Sequence, residues 1–313
     1  MTDFIPPAPL ETPVLFLIFN RPDTTAKVFE AIRKARPPRL YVAADGARED
    51  RDGESERVAD VRKIATRVDW PCEVKTLFRD RNLGCRDAVS EGITWFFENE
   101  EAGIILEDDC LPSQSFFWFC EAMLERYRHD TRVGQISGLM RFPETLDSAY
   151  SHAFSRFGSI WGWASWRRAW QFYAKVPSDE VMQHLEDIFR TVTFDEDQLR
   201  RRVELIEAVA EGNIDTWDYQ WGLTKYAQHM LSVVPTNNLV ENIGLDTGTH
   251  NTNKAENKGL SRNEMSFPLR FLDIVYPQQS HDHLFANRTK KTPRLRRILK
   301  KAGFDFARDR SSE

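Results

Sequence analysis

The first 112 residues of the chain alternate short apolar runs with amphipathic helical patterns. The apolar runs cover residues 14–19, 40–44 and 103–106, and a further strand pattern covers 73–78. Continuous apolar runs are typical of strands that are buried on both faces of a sheet. Helices between such strands favour parallel pairing. The sequence therefore predicts an α/β fold in which helices flank a mostly parallel central sheet.

The pattern changes after about residue 130. A strand is predicted at 133–138, a Gly- and Trp-rich loop at 157–170, and mainly helical structure from 178 to 230. We expect one domain over residues 1–285, with a donor half at about 12–140 and a mainly helical acceptor half at about 141–285. Residues 286–313 form a separate basic tail.

Composition narrows the class of protein. The net charge of −5 argues against nucleic acid as a partner of the body. The four cysteines have no Cys-x-x-Cys spacing, which indicates reduced thiols in a cytoplasmic protein. No apolar run reaches the ~18 residues that a membrane span needs.

Polar side chains follow three of the predicted strands. Arg21 follows the first strand, Asp45 ends the second, and the acid cluster Glu107-Asp108-Asp109 follows the fourth. Ligands of parallel sheets bind beyond the carboxyl ends of the strands, so we expect these groups at one edge. Adjacent ionised carboxylates repel one another and are costly to bury, so the acid cluster is expected to bind a cation.

These motifs and their order resemble those of a known enzyme class. The Arg-containing turn is followed by Asp45-Gly46, Asn-x-Gly at 82–84, the acid cluster, a Gly-Trp loop and Trp-Asp-x-x-Trp at 217–221. The set resembles the GT-A class of nucleotide-sugar glycosyltransferases, in particular the β-1,2-N-acetylglucosaminyltransferase type and its bacterial relatives. The resemblance covers about residues 12–255 and implies a Rossmann-like GT-A fold. The usual Asp-x-Asp motif is absent, and the acid cluster stands in its place.

The resemblance implies a divalent cation, Mn²⁺ or Mg²⁺, bound with the sugar-nucleotide donor. Asp109 would bind the metal, while Glu107 and Asp108 would orient the ribose, the sugar or metal-bound water. His250 resembles a late histidine that contacts metal or phosphate. The alternatives are a strand-end cap for the acids and an exposed loop position for the histidine.

Four further residues resemble donor contacts. Asp45 would accept the uracil N–H, Arg21 would meet the base or a phosphate, and Asn82 and Arg86 would lie near the donor. Each also has a structural alternative, because turns and helix starts favour the same residue types.

Asp218 resembles the general base that takes the proton of the acceptor hydroxyl in an inverting transfer. Asp215 is a nearby competitor for this role. The structural alternative is a helix start with Asp215 as the N-cap and the neighbouring tryptophans in the core.

Aromatic residues of the Gly-Trp loop suit a sugar-binding surface. Trp161 and Trp163 would stack on a sugar face, and Gly162 would allow close backbone approach. Core packing is the alternative for these residues.

The tail from residue 288 reads "RTKKTPRLRRILKK" and is rich in Lys and Arg with no acid. An amphipathic basic helix of this kind is expected to contact the anionic inner face of a cell membrane. The alternative is a solvated helix or a disordered end.

The resemblance therefore implies a metal-dependent, inverting glycosyltransferase that uses a UDP-sugar. A glycan or lipid-linked acceptor in cell-envelope polysaccharide synthesis is the expected partner. One rival is a nucleotidyltransferase, although residues 19–27 lack its Gly-rich phosphate loop. The other rival is a glycan-binding protein without catalytic activity.

Overall fold

The computed structural model describes residues 4–193, 195–244 and 260–288. The strands, in chain order, are β1 Val14–Ile18, β2 Arg39–Ala44, β3 Glu73–Phe78, β4 Ala102–Glu107, β5 Cys110–Pro112, β6 Val133–Ser137, β7 His152–Ser155, β8 Trp163–Trp166, β9 Leu231–Pro235 and β10 Val240–Asn242. The α-helices are α1 Pro22–Ala35, α2 Glu54–Ala65, α3 Gly84–Asn99, α4 Gln114–Arg126, α5 Arg167–Trp170, α6 Asp179–Gln183, α7 Leu185–Arg190, α8 Glu196–Ala210, α9 Asp218–Ala227 and α10 Gln279–Arg288.

Eight of these strands form one mixed sheet in the order β3-β2-β1-β4-β8-β6-β9-β7. The run β3-β2-β1-β4 is parallel, and β6 and β9 point the same way. The strands β8 and β7 are antiparallel to their neighbours. The structure therefore confirms the α/β class, with a Rossmann-like and mostly parallel sheet.

The continuous apolar runs are explained by burial on both sides of the sheet. In β1, Phe16 belongs to a core cluster with side chains of α1 and α4. Its neighbour Leu15 belongs to a second cluster, with side chains of α3 and the buried tryptophans. Because consecutive residues of a strand point to opposite faces, a strand between two helical layers has no polar positions.

The strand β8 departs from the predicted loop at 157–170. Residues 163–166 form a strand that lies between β4 and β6. Trp163 contributes to one core cluster, whereas Ala164 and Trp166 contribute to the other. Because both faces are buried, the segment has no alternation of apolar and polar residues by which the strand could be identified.

The predicted helical region is confirmed by α6, α7, α8 and α9, which span much of 179–227. A short antiparallel sheet of β5 and β10 lies apart from the main sheet. Within the described residues, no helix has both the length and the apolar character to cross a membrane.

Candidate active site

The acid cluster lies at the carboxyl end of β4. The strand ends at Glu107, and β5 begins at Cys110, so Asp108 and Asp109 form the turn between them. The partner strand β10 pairs with β5, and the N–H of Ile243 donates to the main-chain oxygen of Asp109 at 2.8 Å. Two neighbouring strands therefore fix the backbone of the acid cluster.

Arg21 contacts the acid cluster directly. Its Nη1 atom lies 2.8 Å from Oδ2 of Asp109 and 3.4 Å from Oδ1 of Asp108. The N–H of Phe19 donates to the other oxygen of Asp108 at 3.1 Å. Burial opposes the charged form of Arg21, but Asp108 and Asp109 raise the pKa of this guanidinium above its ordinary value. The ends of β1 and β4 thus converge, as expected from the sheet.

The three carboxyl groups of the acid cluster lie close together around the guanidinium of Arg21. The Oε1 atom of Glu107 is buried and has no hydrogen-bond partner. Burial raises the pKa of Glu107 well above its ordinary value, and Asp109, Asp108 and Asp218 raise it further. Burial, together with Asp109, also raises the pKa of Asp108 to about 7. This concentration of carboxylates favours the binding of a cation.

The oxygen atoms of this cluster have the chemistry that Mn²⁺ and Mg²⁺ prefer. Across residues 4–193, 195–244 and 260–288, no group of three or more His, Cys, Asp or Glu side chains is arranged to hold a metal. An ion at the acid cluster would take one or two of its carboxylates and complete its shell with water and phosphate. Gly244 packs against Asp109 so closely that a Cβ atom would lie 2.4 Å from Oδ2.

Asp45 lies at the same edge, but its carboxylate is already occupied. Its two oxygens accept hydrogen bonds from the main-chain N–H groups of Gly46, Leu83 and Gly84 and from the side-chain amide of Asn82. A carboxylate has about four lone-pair sites, so these four donors fill them. Asp45 and Asn82 lie together, and their mutual contacts fix the loop before α3.

Arg86 lies in the first turn of α3, and Asp215 caps this turn. The carboxylate of Asp215 accepts hydrogen bonds from the N–H groups of Cys85 and Arg86, both at 2.9 Å. The sequence predicts Asp215 as a competing base or as the N-cap of the helix at 218; in the structure it caps α3 and not α9. The N-cap residue of α9 is Trp217, which makes no side-chain cap.

Asp218 is the first residue of α9, in the other half of the chain from the acid cluster. The hydroxyl of Thr216 donates to its Oδ1 atom. The charge of Asp218 contributes to the raised pKa of Glu107, and it also acts on Cys85 and Tyr173. Asp218 therefore lies close enough to the strand-end edge to influence its electrostatics.

The Gly-Trp loop divides into a core part and a surface part. Trp163 is fully buried, and its ring contacts those of Trp170, Trp217 and Trp221. The predicted sugar-stacking role of Trp163 is therefore corrected to core packing, because no face of its ring is exposed.

Trp161 is half-buried, and the guanidinium of Arg141 lies 4.9 Å from its ring centroid. Gly162 has a φ of +60°, and a Cβ atom there would lie 2.7 Å from Cγ2 of Val240. The glycine thus allows the loop to pack on β10 beside the acid cluster.

One buried carboxylate at this edge was not predicted from the sequence. Glu54, the first residue of α2, is buried and binds Arg48 and the side-chain amide of Asn20. A glutamate in a charged helix resembles a solvated surface residue, so the sequence carries no signal of this burial. His250 and the tail from residue 289 lie outside the described residues.

Comparisons with known proteins add little to this picture. No family model matches the sequence, and no curated protein matches it. The crystal structure of HddC from Yersinia pseudotuberculosis is similar over 50% of this chain and 77% of HddC, with 9% sequence identity and a TM-score of 0.31. A likeness this weak supports no inference about activity.

Proposed function

We propose that this chain is a metal-dependent, inverting glycosyltransferase that uses a nucleotide-diphospho sugar, with a UDP-sugar as the donor. The observation that carries the proposal is the convergence of Arg21, the acid cluster and Asp218 at one edge of the sheet. The first two supply charge for a diphosphate and its metal. The third supplies a base from the opposite half of the chain.

The donor side of the site would bind the diphosphate. Asp109 would hold Mn²⁺ or Mg²⁺, and Asp108 and Glu107 would orient the ribose, the sugar or metal-bound water. When bound, the metal supplies positive charge to the leaving diphosphate. Arg21 would be a second positive charge beside the metal at the acid cluster. Its guanidinium can donate hydrogen bonds to phosphate oxygens. Arg86, at the start of α3, would contact the donor from the other side.

The transfer needs one displacement. The oxygen of the acceptor hydroxyl forms a bond to the anomeric carbon as the bond from that carbon to the phosphate oxygen breaks. The electron pair of the broken bond leaves with the nucleoside diphosphate, and the hydroxyl proton moves to the carboxylate of Asp218. A single displacement inverts the configuration at the anomeric carbon.

The acceptor is proposed to be a glycan or a lipid-linked sugar of cell-envelope polysaccharide synthesis. Trp161 offers a half-exposed ring beside the site for a sugar face. We also propose that the basic tail contacts an anionic membrane where such acceptors lie. Removal of residues 289–313 should then lower cosedimentation with anionic liposomes and leave donor binding unchanged. Equal cosedimentation of both forms would refute the membrane contact.

Calorimetric binding of a UDP-sugar panel, with and without Mn²⁺, tests the donor side. We expect metal-dependent binding of one donor by the wild type and its loss in Asp109→Ala. Asp197→Ala, which removes an exposed carboxylate on α8, is the matched control and should bind as the wild type does. If no donor binds in either condition, the glycan-binding alternative is favoured. Binding of a nucleoside triphosphate in preference to every nucleotide sugar would favour a nucleotidyltransferase.

Release of UDP from the bound donor tests the base. Asp218→Asn keeps the shape of the side chain but removes its basicity, so turnover should fall by roughly 10²–10⁴-fold while donor affinity is retained. Unchanged turnover in this variant would exclude Asp218 as the base.

A further inference from the structure

A second charged network lies at the strand-end edge, beside the acid cluster. Its centre is Glu54, whose side chain is only 1% exposed. Its Oε1 atom accepts hydrogen bonds from Asn20 at 2.7 Å and from Nη2 of Arg48 at 2.5 Å. Its Oε2 atom accepts from the main-chain N–H of Arg48 at 2.8 Å and from Nε at 3.0 Å. The carboxylate therefore has a partner for every lone pair.

Glu54 connects two segments that are far apart in the chain. Asn20 follows β1, and Arg48 follows β2, so both belong to the edge where the carboxyl ends of the strands meet. Hydrogen bonding to Arg48 lowers the pKa of Glu54 to about 2, against the effect of burial. A buried carboxylate is costly unless its partners are fixed, so Glu54 holds Arg48 in one position.

The side chain of Arg48 is held by Glu54 and is yet partly exposed. Its Cζ atom lies over the ring of Phe19, 5.5 Å from the ring centroid. The side chain is nevertheless 36% exposed, in contrast to the buried carboxylate that holds it. A planar cation with an aromatic ring on one side suits stacking on a flat ligand at the other side.

Different charged residues surround Arg21 and Arg48. Asp108, Asp109 and Glu107 act on Arg21. Glu54 and Asp50 raise the pKa of Arg48. Phe19 joins the two sites, because its N–H donates to Asp108 and its ring lies beneath Cζ of Arg48. Since the diphosphate is proposed to bind at the acid cluster, we place Arg48 at the next part of the donor, the nucleoside.

We infer that Arg48 is a further donor contact that stacks on the nucleobase, and that Glu54 is the positioning residue that holds it. The inference rests on the proposed function, because it assigns the nucleoside end of the same site. It divides the work between two cations: Arg21 for the diphosphate and Arg48 for the base.

Calorimetric binding of three probes, each with Mg²⁺, tests this division: UDP, UMP and inorganic pyrophosphate. Arg48→Met should weaken the binding of UDP and UMP by about tenfold and leave the binding of pyrophosphate unchanged. Arg21→Met is the matched control, since it removes the same group from the same edge but should weaken pyrophosphate. Arg48→Lys keeps the charge but not the plane, and it should lose base-dependent affinity as Arg48→Met does. Glu54→Gln keeps the shape of the side chain, and it should weaken the binding of UDP and UMP less than Arg48→Met does.

The opposite results separate the inference from the proposed function. Equal weakening of all three probes by Arg48→Met, together with a lower melting temperature, would mean that Arg48 only braces the fold and would overturn the inference. Wild-type affinity of Arg48→Met or of Arg48→Lys for UMP would overturn it as well. A wild type that binds none of the probes would overturn the proposed function itself, and the inference with it.

Discussion

Replacement of Lys225 by methionine should stabilise the protein and remove one contribution to the pH dependence of its free energy of unfolding. Lys225 lies in α9, seven residues after Asp218, and its ammonium group is buried. Its Nζ atom donates to the hydroxyl of Ser232 at 2.8 Å. A hydroxyl provides much less compensation than a carboxylate, so burial lowers the pKa of Lys225 from 10.5 to about 7.

The magnitude follows from this shift. A lowered pKa means that the unfolded chain binds a proton that the folded chain excludes, so stability rises with pH between about 7 and the ordinary pKa. One pKa unit corresponds to about 1.4 kcal/mol, which gives a cost of about 4 kcal/mol at pH 7.5. Methionine leaves the hydroxyl of Ser232 without its partner, which costs about 1 kcal/mol. Lys225→Met should therefore be about 3 kcal/mol more stable than the wild type at pH 7.5.

Urea unfolding of both proteins at pH 7.5 and at pH 9.0 measures this difference. The advantage of the variant should shrink by about 2 kcal/mol over this interval, because the wild type no longer has to lose a proton on folding. Lys63→Met, at a lysine that is 78% exposed on α2, is the control and should show no such trend. An advantage that is independent of pH, or a variant less stable than the wild type, would refute the reasoning.

Three other predictions concern single side chains. Arg21→Met should raise the affinity for Mn²⁺ without nucleotide by about tenfold, because the guanidinium competes with the metal for Asp109. Paramagnetic resonance of free Mn²⁺ measures this affinity, and a lower affinity in the variant would contradict the prediction. Burial lowers the pKa of His152 to about 4. The free energy of unfolding of the wild type should therefore fall by about 3 kcal/mol between pH 6.5 and pH 4. Urea unfolding at both pH values measures this fall, which should be absent in His152→Gln. Glu264→Gln should cost about 1 kcal/mol of unfolding free energy with donor affinity unchanged, since this carboxylate accepts from two N–H groups at the start of α4; an unchanged urea midpoint would refute the cap.

The parallel half of the sheet was predictable because its signals are local. Apolar runs before Arg21, Asp45 and the acid cluster are strands buried on both faces, and the fold rule for parallel sheets places their ends at one edge. The convergence of Arg21 with the acid cluster therefore followed from the sequence alone.

The partners of the remaining polar residues are distant in the chain, so local patterns give no sign of them. Asp215 caps a helix that begins at Gly84, and Glu264 caps one that begins at Gln114. Ser113 occupies the N-cap position of the latter helix, but its side chain makes no cap. A carboxylate suits either a cap or a site, and only the tertiary structure decides between them.

The pairing of β10 with β5 has a consequence for the order of events during synthesis. The turn that carries Asp108 and Asp109 follows β4, yet its backbone is held by Ile243, more than 130 residues later. The helix after β5 is capped by Glu264, which is later still. Contacts between such distant parts of a chain form late, because closing a long loop costs conformational entropy. On the ribosome the nascent first half would therefore expose an unfinished acid cluster, and the site would close only when about 265 residues had emerged.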